Sequence, residues 1–561
     1  MAPPDLLHHE PASRLDARSI SQGVAFAFAT GEGGELIQHA LDGATLAPTT
    51  FDPSQYAADL FIDDLVRTCF PVTACGRVFT PNRTHLCRVL TTPPKDPACC
   101  AFRREILTEL LAKPEYRLDL EKSYVELRRF AELLTSPTHG SAPELHQHRV
   151  DVLRALKVAI EGLSDRFNGA KSGLTRALEL GRELAGRPAF KHLAELLAYE
   201  DGLARVDLEV GVGADGSVRG FEIVRVREAR DNRFHTDPLR RLWTRLRLFL
   251  RGFRFGELEI MARLLDTVFT PFEADVVSLF QLMGDMEFYL GALGFHDRAT
   301  SRGLAVCLPE IAAPASDEAH IKRELRGLFN PLLIGERGAP KPCDIVNERH
   351  DAIVLVTGPN SGGKTRLLQA VALVQLLGQS GVFVPARSAK IAWTEGLFVS
   401  LHHEVTAEQK EGRLGTELLR IRQLFEELRW GDVVIVDELC SGTNPSEAEA
   451  IIRLVLELLS ELHPQVFVTT HFLGFAAELA AEPHVERLEF LQAALDERNR
   501  PTYKFVSGVA ASALAAETAA RLGVTLEELA AIVARRKAEH TPADDMPAPL
   551  SRSRSYDAPA K

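Results

Sequence analysis

The residues best suited to chemistry lie in one run, Val354-Leu355-Val356-Thr357-Gly358-Pro359-Asn360-Ser361-Gly362-Gly363-Lys364-Thr365. An apolar strand enters a glycine-rich loop, and the loop closes on Lys-Thr at the start of a helical pattern. The spacing from Gly358 to Thr365 fits G-x4-G-K-[ST]. In such a loop successive backbone N–H groups face phosphates, the lysine reaches the outer phosphates, and the hydroxyl holds Mg²⁺. Glycine is required because a side chain would block both the turn and the close backbone approach. The nucleotide contacts expected are therefore Gly358, Pro359, Asn360, Ser361, Gly362, Gly363, Lys364 and Thr365, with ATP and Mg²⁺ as the ligands.

Two further strands must stand beside this one. Asp432-Val433-Val434-Ile435-Val436-Asp437-Glu438 sets four apolar β-formers before two adjacent carboxylates, as a buried parallel strand ending at the phosphate side of a sheet does. Asp437 is expected to join Thr365 on the metal, and Glu438 to orient the attacking water. Gln465-Val466-Phe467-Val468-Thr469-Thr470-His471 is a third strand ending in hydroxyls and an imidazole, and His471 is placed to sense a γ-phosphate. The catalytic set expected is Glu438, Lys364 and His471.

In their order and wording these motifs resemble the ATPase domain of the MutS family of mismatch-repair-type proteins. The resemblance runs from Thr357 to about Glu528. It rests on Thr357-Gly358-Pro359-Asn360 with Gly363-Lys364-Thr365, on Gly381-Val382-Phe383-Val384-Pro385-Ala386, on Asp437-Glu438 followed by Ser441-Gly442-Thr443, and on Thr470-His471. A weaker similarity extends upstream. Phe79-Thr80-Pro81, Leu90-Thr91-Thr92-Pro93-Pro94 and Arg103 to Leu134 resemble the start of the family's helical core. Asp285 to Gly294, Leu308-Pro309-Glu310 and Phe329-Asn330-Pro331-Leu332 resemble the return lever and the linker into the ATPase.

The resemblance implies a multidomain chain in which a mostly α-helical core and lever precede an α/β P-loop domain. Residues 1–70 are expected to form a partly disordered amino-terminal region. Residues 71–330 would be core, lever and clamp, with the clamp at about 203–256; residues 331–537 would be the ATPase domain and 538–561 a disordered tail. The 79 residues before Thr80 are expected to be too few for the family's mismatch-reading and connector domains, and they carry no Phe-x-Glu wedge. From the polar tail after Lys537 the family's terminal nuclease domain is expected to be missing. Two family segments are altered. The Ser-Thr-Phe loop that reaches the partner's γ-phosphate corresponds to Glu411-Gly412-Arg413-Leu414-Gly415-Thr416-Glu417, and a Ser-x-Ser-aromatic-Gly segment corresponds to Ala511-Ser512-Ala513-Leu514-Ala515.

The net charge of −12 argues against a uniformly basic nucleic-acid binder, but the charge is unevenly placed. Between Arg219 and Arg254 eleven arginines face four acids, with no lysine among them. Val206 to Val226 alternates like a hairpin around Gly213-Ala214-Asp215-Gly216, and Leu239 to Arg247 reads as an amphipathic helix with one cationic face. Forked guanidinium groups suit phosphate contacts, so Arg225, Arg227, Arg240, Arg241 and Arg245 are the expected DNA contacts, on double-stranded or branched DNA. A solvated helix face is the plainer reading of the same charges.

From Glu144 to Asp201 the pattern is helical but interrupted at Gly162, Gly169, Gly173, Gly181 and Gly186-Arg187-Pro188, which predicts several segments in place of one rod. Leu258 to Gly294 returns with apolar residues at helical spacing. The 45% hydrophobic and 25% charged composition is that of an ordinary globular chain, and no apolar run approaches the eighteen or so residues of a membrane span. Eight scattered cysteines, without a CxxC pair, indicate neither a disulfide framework nor a zinc site; His402-His403 have no ligand partners at recognisable spacing. The function expected is ATP-gated DNA binding by a homodimeric clamp, in mismatch repair or recombination-related maintenance, in the cytoplasm and at the nucleoid, with a downstream repair protein unidentified. An SMC- or transporter-type ATPase, or a nucleotide-switched scaffold that binds protein only, is the alternative.

Overall fold

The computed structural model describes residues 3–138, 141–200, 204–212, 218–228, 257–312, 322–335, 339–359, 362–401, 413–440, 443–482, 485–498, 500–511 and 523–540. Its first half is a helical body. Helices Pro97–Ala112, Pro114–Thr135, Ala142–Asp165, Thr175–Gly186 and Pro188–Glu200 follow one another, then Glu257–Phe269 and Glu273–Ser301. Their starts are legible in the side chains. Asn82 accepts from the His85 amide, Asp96 accepts from the Ala98 amide ahead of Pro97, and Ser141 with Glu144 forms a reciprocal capping box. The segmented run predicted between Glu144 and Asp201 is present, broken at 166–174 and at Arg187; Gly162 and Gly181 are absorbed within helices.

Glu273–Ser301 is the centre of this body. From Leu279 to Phe295 every residue on it is buried, so over that span it has no solvent face and is packed on all sides. That position forces its acids into partnerships. Asp285 accepts from the Arg14 guanidinium and from the Leu6 amide at 2.9 Å; Glu287 accepts from the Asn82 amide at 2.8 Å and Tyr124 Oη at 3.0 Å.

These contacts correct the expectation of a partly disordered amino-terminal region. Residues 3–70 include helices Ala17–Thr30, Leu36–Asp42 and Ile62–Cys69, and Leu6, Leu7, Val24, Leu60 and Leu65 are wholly buried in the same core as the long helix. Polar composition at the very start concealed the reason: Asp5 and Arg14 are themselves core residues, paired with each other and with the long helix.

A short hairpin joins β1 (Val72–Ala74) to β2 (Arg77–Phe79). The hairpin predicted from Val206 to Val226 is also present: β3 (Ala204–Val212) pairs antiparallel with β4 (Val218–Glu228), with Arg225 opposite Asp207 and Arg227 opposite Arg205 in the register. Arg240, Arg241, Arg245 and the helix expected at 239–247 lie outside the described residues, as does the tail from residue 541.

The second half carries two sheets. β5 (Glu310–Ala312), β6 (Arg323–Leu328) and β7 (Cys343–Asn347) join β9 (Ser388–Ala392) in the order β5-β9-β6-β7; between β7 and β9 in the chain lies β8 (Ile353–Thr357). This arrangement moves the expected domain boundary at 330/331. β5 and β6 find their ladder partners in β7 and β9, so they belong with the second half, because a strand's backbone groups must be paired where it folds.

The larger sheet has the order β10-β11-β12-β8-β13-β14, with β10 (Leu397–Ser400), β11 (Val433–Val436), β12 (Gln465–Thr469), β13 (Leu488–Leu495) and β14 (Pro501–Ser507). The first five strands are parallel and β14 is antiparallel to β13. β8, β10, β11 and β12 are buried throughout, as continuous apolar strands covered on both faces must be. Parallel pairing brings the carboxyl ends of β8, β11 and β12 to one edge.

The two halves share one core. Arg103, fully buried, donates from Nε to Leu7 O and from Nη1 to Ser380 O, both at 2.9 Å. Gln369, one turn into the helix that follows β8, donates to Asp59 O at 3.2 Å.

Candidate nucleotide site

β8 ends at Thr357, and Gly358 follows with φ +135°, where an added Cβ would stand 2.8 Å from the Ala493 Cβ. Gly363, at φ +86°, then caps the helix Lys364–Gln379 in a left-handed conformation that glycine adopts without strain. These two positions make the loop possible; Asn360 and Ser361 at its tip lie outside the described residues. Lys364 is buried, and its Nζ donates to Gly358 O at 3.0 Å and Pro359 O at 3.3 Å, across the loop. Burial pushes its ammonium below the ordinary lysine value, while Glu438 and Asp437 oppose the shift.

Asp437 stands at the end of β11 and takes one hydroxyl on each carboxylate oxygen: Thr365 Oγ1 on Oδ2 and Thr469 Oγ1 on Oδ1. Thr469 Oγ1 in turn accepts from the Glu438 amide at 2.8 Å. The start of one helix and the ends of two strands thus meet at one carboxylate. Glu438 has φ +50° and Cys440 φ +57°, two non-glycine residues in left-handed backbone immediately after the strand. Such conformations cost of order 1–3 kcal/mol each and persist where surrounding contacts fix them. Here the Glu438 amide bond to Thr469 is one of those contacts.

Not every expected residue joins this network. The His471 ring packs on Phe472 with centroids 4.1 Å apart, and no hydrogen bond among the described residues connects it to Asp437. Ser441 and Gly442 lie outside the described residues, as do Glu411, Gly412 and residues 512–515 of the altered segments. Arg413 begins the helix Arg413–Glu427, so the rest of the stretch matched to the signature loop is helical.

The structure adds residues that the motifs did not point to. Thr469 was visible only as a hydroxyl at a strand end, and its bond to Asp437 makes it the link between β11 and β12. Beside Gly363 a cleft of about 320 Å³ is lined by Phe329, Asn330, Lys341, Arg366 and Tyr503. Tyr503, at φ +58°, would stand 3.2 Å from a Cβ on Gly363, and Lys341 Nζ lies 5.3 Å from its ring centroid. No motif in the sequence singled out Tyr503 or Lys341.

With this geometry in hand, residues 354–537 match the family model of MutS domain V. That stretch, about a third of the chain, ties it by similarity to the MutS family. Its relatives include the endonuclease MutS2 of Thermus thermophilus, 32% identical over 242 residues that cover 43% of this chain and 31% of that protein. The endonuclease MutS2 of Streptococcus thermophilus is 31% identical over 278 residues, covering 48% and 33%, and that of Thermomicrobium roseum is 31% identical over 228 residues, covering 40% and 28%. The chain matches about a third of the length of these curated relatives. The chain combines the helical body with mixed α/β sheets, and no helix among its described residues is long and apolar enough to cross a membrane.

Proposed function

We infer that this MutS-family chain is a Mg²⁺-dependent ATPase whose nucleotide state governs its grip on the DNA backbone, and that it works as a homodimer. The observation that carries the chemistry is the meeting of Thr365, Asp437 and Thr469 beside a loop closed by Lys364. A hydroxyl and a carboxylate within hydrogen-bond reach form the hard oxygen set that suits Mg²⁺, so Thr365 and Asp437 would hold the ion. The bound ion supplies charge neutralisation at the phosphates. Lys364 exchanges its two carbonyl acceptors for phosphate oxygens and neutralises developing charge there. Glu438 orients the attacking water and His471 responds to the γ-phosphate. Tyr503 and Phe329 give the base an apolar cleft next to the loop.

The DNA grip is supported by the arginine-rich stretch from Arg219 to Arg254 and by the hairpin that carries Arg225 and Arg227. The homodimer is supported by the family's placement of its nucleotide sites at a subunit interface and by the alanine-rich run from Ala510 to Leu529.

Steady-state hydrolysis by the purified chain, with and without Mg²⁺, tests the chemistry. Lys364→Ala should weaken ATP binding and turnover together, and undiminished turnover would refute the assignment. Binding to duplex, mismatched, forked and junction DNA, titrated with salt, tests the grip. Affinity should fall steeply as salt rises, and exchanging Arg240, Arg241 and Arg245 for Glu should weaken binding and flatten that slope while DNA-free ATPase activity stays unchanged. Absence of DNA binding at any salt, with ATPase activity intact, would favour a nucleotide-switched protein scaffold. Sedimentation of a fully active monomer, with and without ATP, would overturn the dimer.

A further inference from the structure

His9, Asp96 and Cys99 lie far from the nucleotide loop in the chain and meet where the amino-terminal segment crosses the start of the helix Pro97–Ala112. His9 Nδ1 is 3.4 Å from Cys99 Sγ and 3.5 Å from Asp96 Oδ2, and one ligand atom from each of the three residues lies within 4.8 Å of the others. We propose that these three side chains form a zinc site, with water from the adjoining cleft as the fourth ligand.

The distances favour an ion over a simple contact. Zinc bonds of about 2.0 Å to imidazole nitrogen or carboxylate oxygen and about 2.3 Å to thiolate, set at the tetrahedral angle, separate neighbouring ligand atoms by about 3.3–3.5 Å. Both separations from His9 Nδ1 fall at or close to that edge length. A single ion against Nδ1 therefore reaches Sγ and Oδ2 with small side-chain adjustments. Thiolate and carboxylate together balance the charge of a dication, and the mix of nitrogen, sulfur and oxygen suits zinc better than Mg²⁺ or Ca²⁺.

The ligands are also held in place. Asp96 spends Oδ1 on the Ala98 amide at 2.9 Å as the helix cap, which fixes its carboxylate and leaves Oδ2 facing His9. Cys99 is 6% exposed and sits in the first helical turn. The backbone around His9 is tied down by Arg176, which donates to His8 O at 2.6 Å, and by Arg103, which donates to Leu7 O. His9 Nε2 lies 3.9 Å from Glu10 Oε1, an ion-pair separation longer than a hydrogen bond. One side opens to a cleft of about 650 Å³ lined in part by Thr45, Pro48, Pro94 and Lys95, which admits the ion and its water. The ion would clasp residues 5–14 to a helix whose Arg103 also holds Ser380, at the far end of the nucleotide helix.

The test uses the full chain, stripped with chelator and titrated with Zn²⁺ against a chromophoric competitor in excess Mg²⁺, so that Thr365 and Asp437 are not the zinc ligands. One equivalent should bind, and Co²⁺ in its place should give a thiolate-to-cobalt charge-transfer band. Cys99→Ser should remove that band, and His9→Asn and Asp96→Asn should each weaken zinc at least tenfold. Asn at 96 retains the helix cap, so Asp96→Asn remains decisive even where another variant fails to fold, as judged by circular dichroism. Absence of stoichiometric zinc at micromolar protein would overturn the proposal. So would zinc that binds the Cys99→Ser and Asp96→Asn proteins as tightly as the parent.

Discussion

At the ends of β8, β11 and β12 the polar groups meet within a residue or two of a strand terminus, whereas in the helical body Asp5, Arg14 and Asp285 meet among fully packed apolar side chains. The first arrangement leaves the carboxylate at an edge where a ligand can replace a hydroxyl partner. The second leaves its charges no exchangeable partner, since all three residues are at most 3% exposed. Groups at the sheet edge are thus placed to change partners, and groups in the body to fix a single packing. Removing a charge should therefore alter turnover in one region and stability in the other.

The largest effect is expected in the body. Asp285→Ala strips Arg14 of its closest carboxylate and leaves a buried guanidinium facing only Asp5, at 3.3 Å. Breaking a buried pair from one side costs about 3–5 kcal/mol, so urea unfolding should show a loss of that size. The protein that remains folded should hydrolyse ATP at the parent rate. A loss under 1 kcal/mol would mean that the Asp5–Arg14–Asp285 cluster does not order the amino-terminal segment.

Next comes Glu438→Gln, which keeps shape and hydrogen-bonding capacity but removes the charge. Hydrolysis should fall by about two orders of magnitude, equivalent to about 2.7 kcal/mol in the barrier, with ATP still bound. The melting temperature should stay close to that of the parent. Unchanged turnover would remove Glu438 from the chemistry, and a large drop in stability would erase the contrast with Asp285.

Asp432 opens β11 and combines the two situations, lying at a strand end yet buried. Burial pushes its carboxyl up to about 6, against the opposing Arg429 amide bond at 2.9 Å. A carboxyl raised in this way binds its proton more tightly in the folded chain than in the unfolded one. The fold therefore loses stability as pH climbs from the ordinary 3.8 through about 6. Asp432→Asn keeps an acceptor for Arg429 and removes the charge. It should stabilise the protein by on the order of 2 kcal/mol at pH 7.5 and by nothing below pH 4, read from denaturant midpoints. An advantage independent of pH would show that burial does not load this carboxylate.

The same contrast explains what the sequence made legible. The loop from Gly358 to Thr365, the Asp437 carboxylate and the buried parallel strands are contiguous patterns, because a phosphate site is assembled from strand ends and each end carries its chemistry within three or four residues. The β3–β4 hairpin was legible from alternation for a similar local reason. The cluster of Asp5 and Arg14 with Asp285 spans some 270 residues, and no periodicity announces a partner at that distance. The boundary placed at 330/331 missed β5 because a three-residue strand pairing with β9 almost eighty positions later has no signature of its own. Thr469 and Tyr503 were visible as residues, but their roles depend on which strands become neighbours.

The smallest effect concerns the joint between the regions. Gln369 is wholly buried on the helix Lys364–Gln379, one turn beyond Thr365; it donates to Asp59 O at 3.2 Å and accepts from Asn330 Nδ2 at 3.1 Å. Leucine there would remove one hydrogen bond each from Asn330 Nδ2, Arg366 Nη1 and the Asp59 carbonyl, at a cost of about 1–2 kcal/mol. Because the apolar core is continuous from Leu6 to Phe505, that cost should appear as a shift of one cooperative transition in calorimetry. Two separated transitions in Gln369→Leu, with the helical body melting first, would show that this hydrogen-bonded joint, and not the shared core, holds the two regions together. The contrast between edge and body would then describe two independent stabilities, and Asp285→Ala should leave the melting of the nucleotide region unmoved.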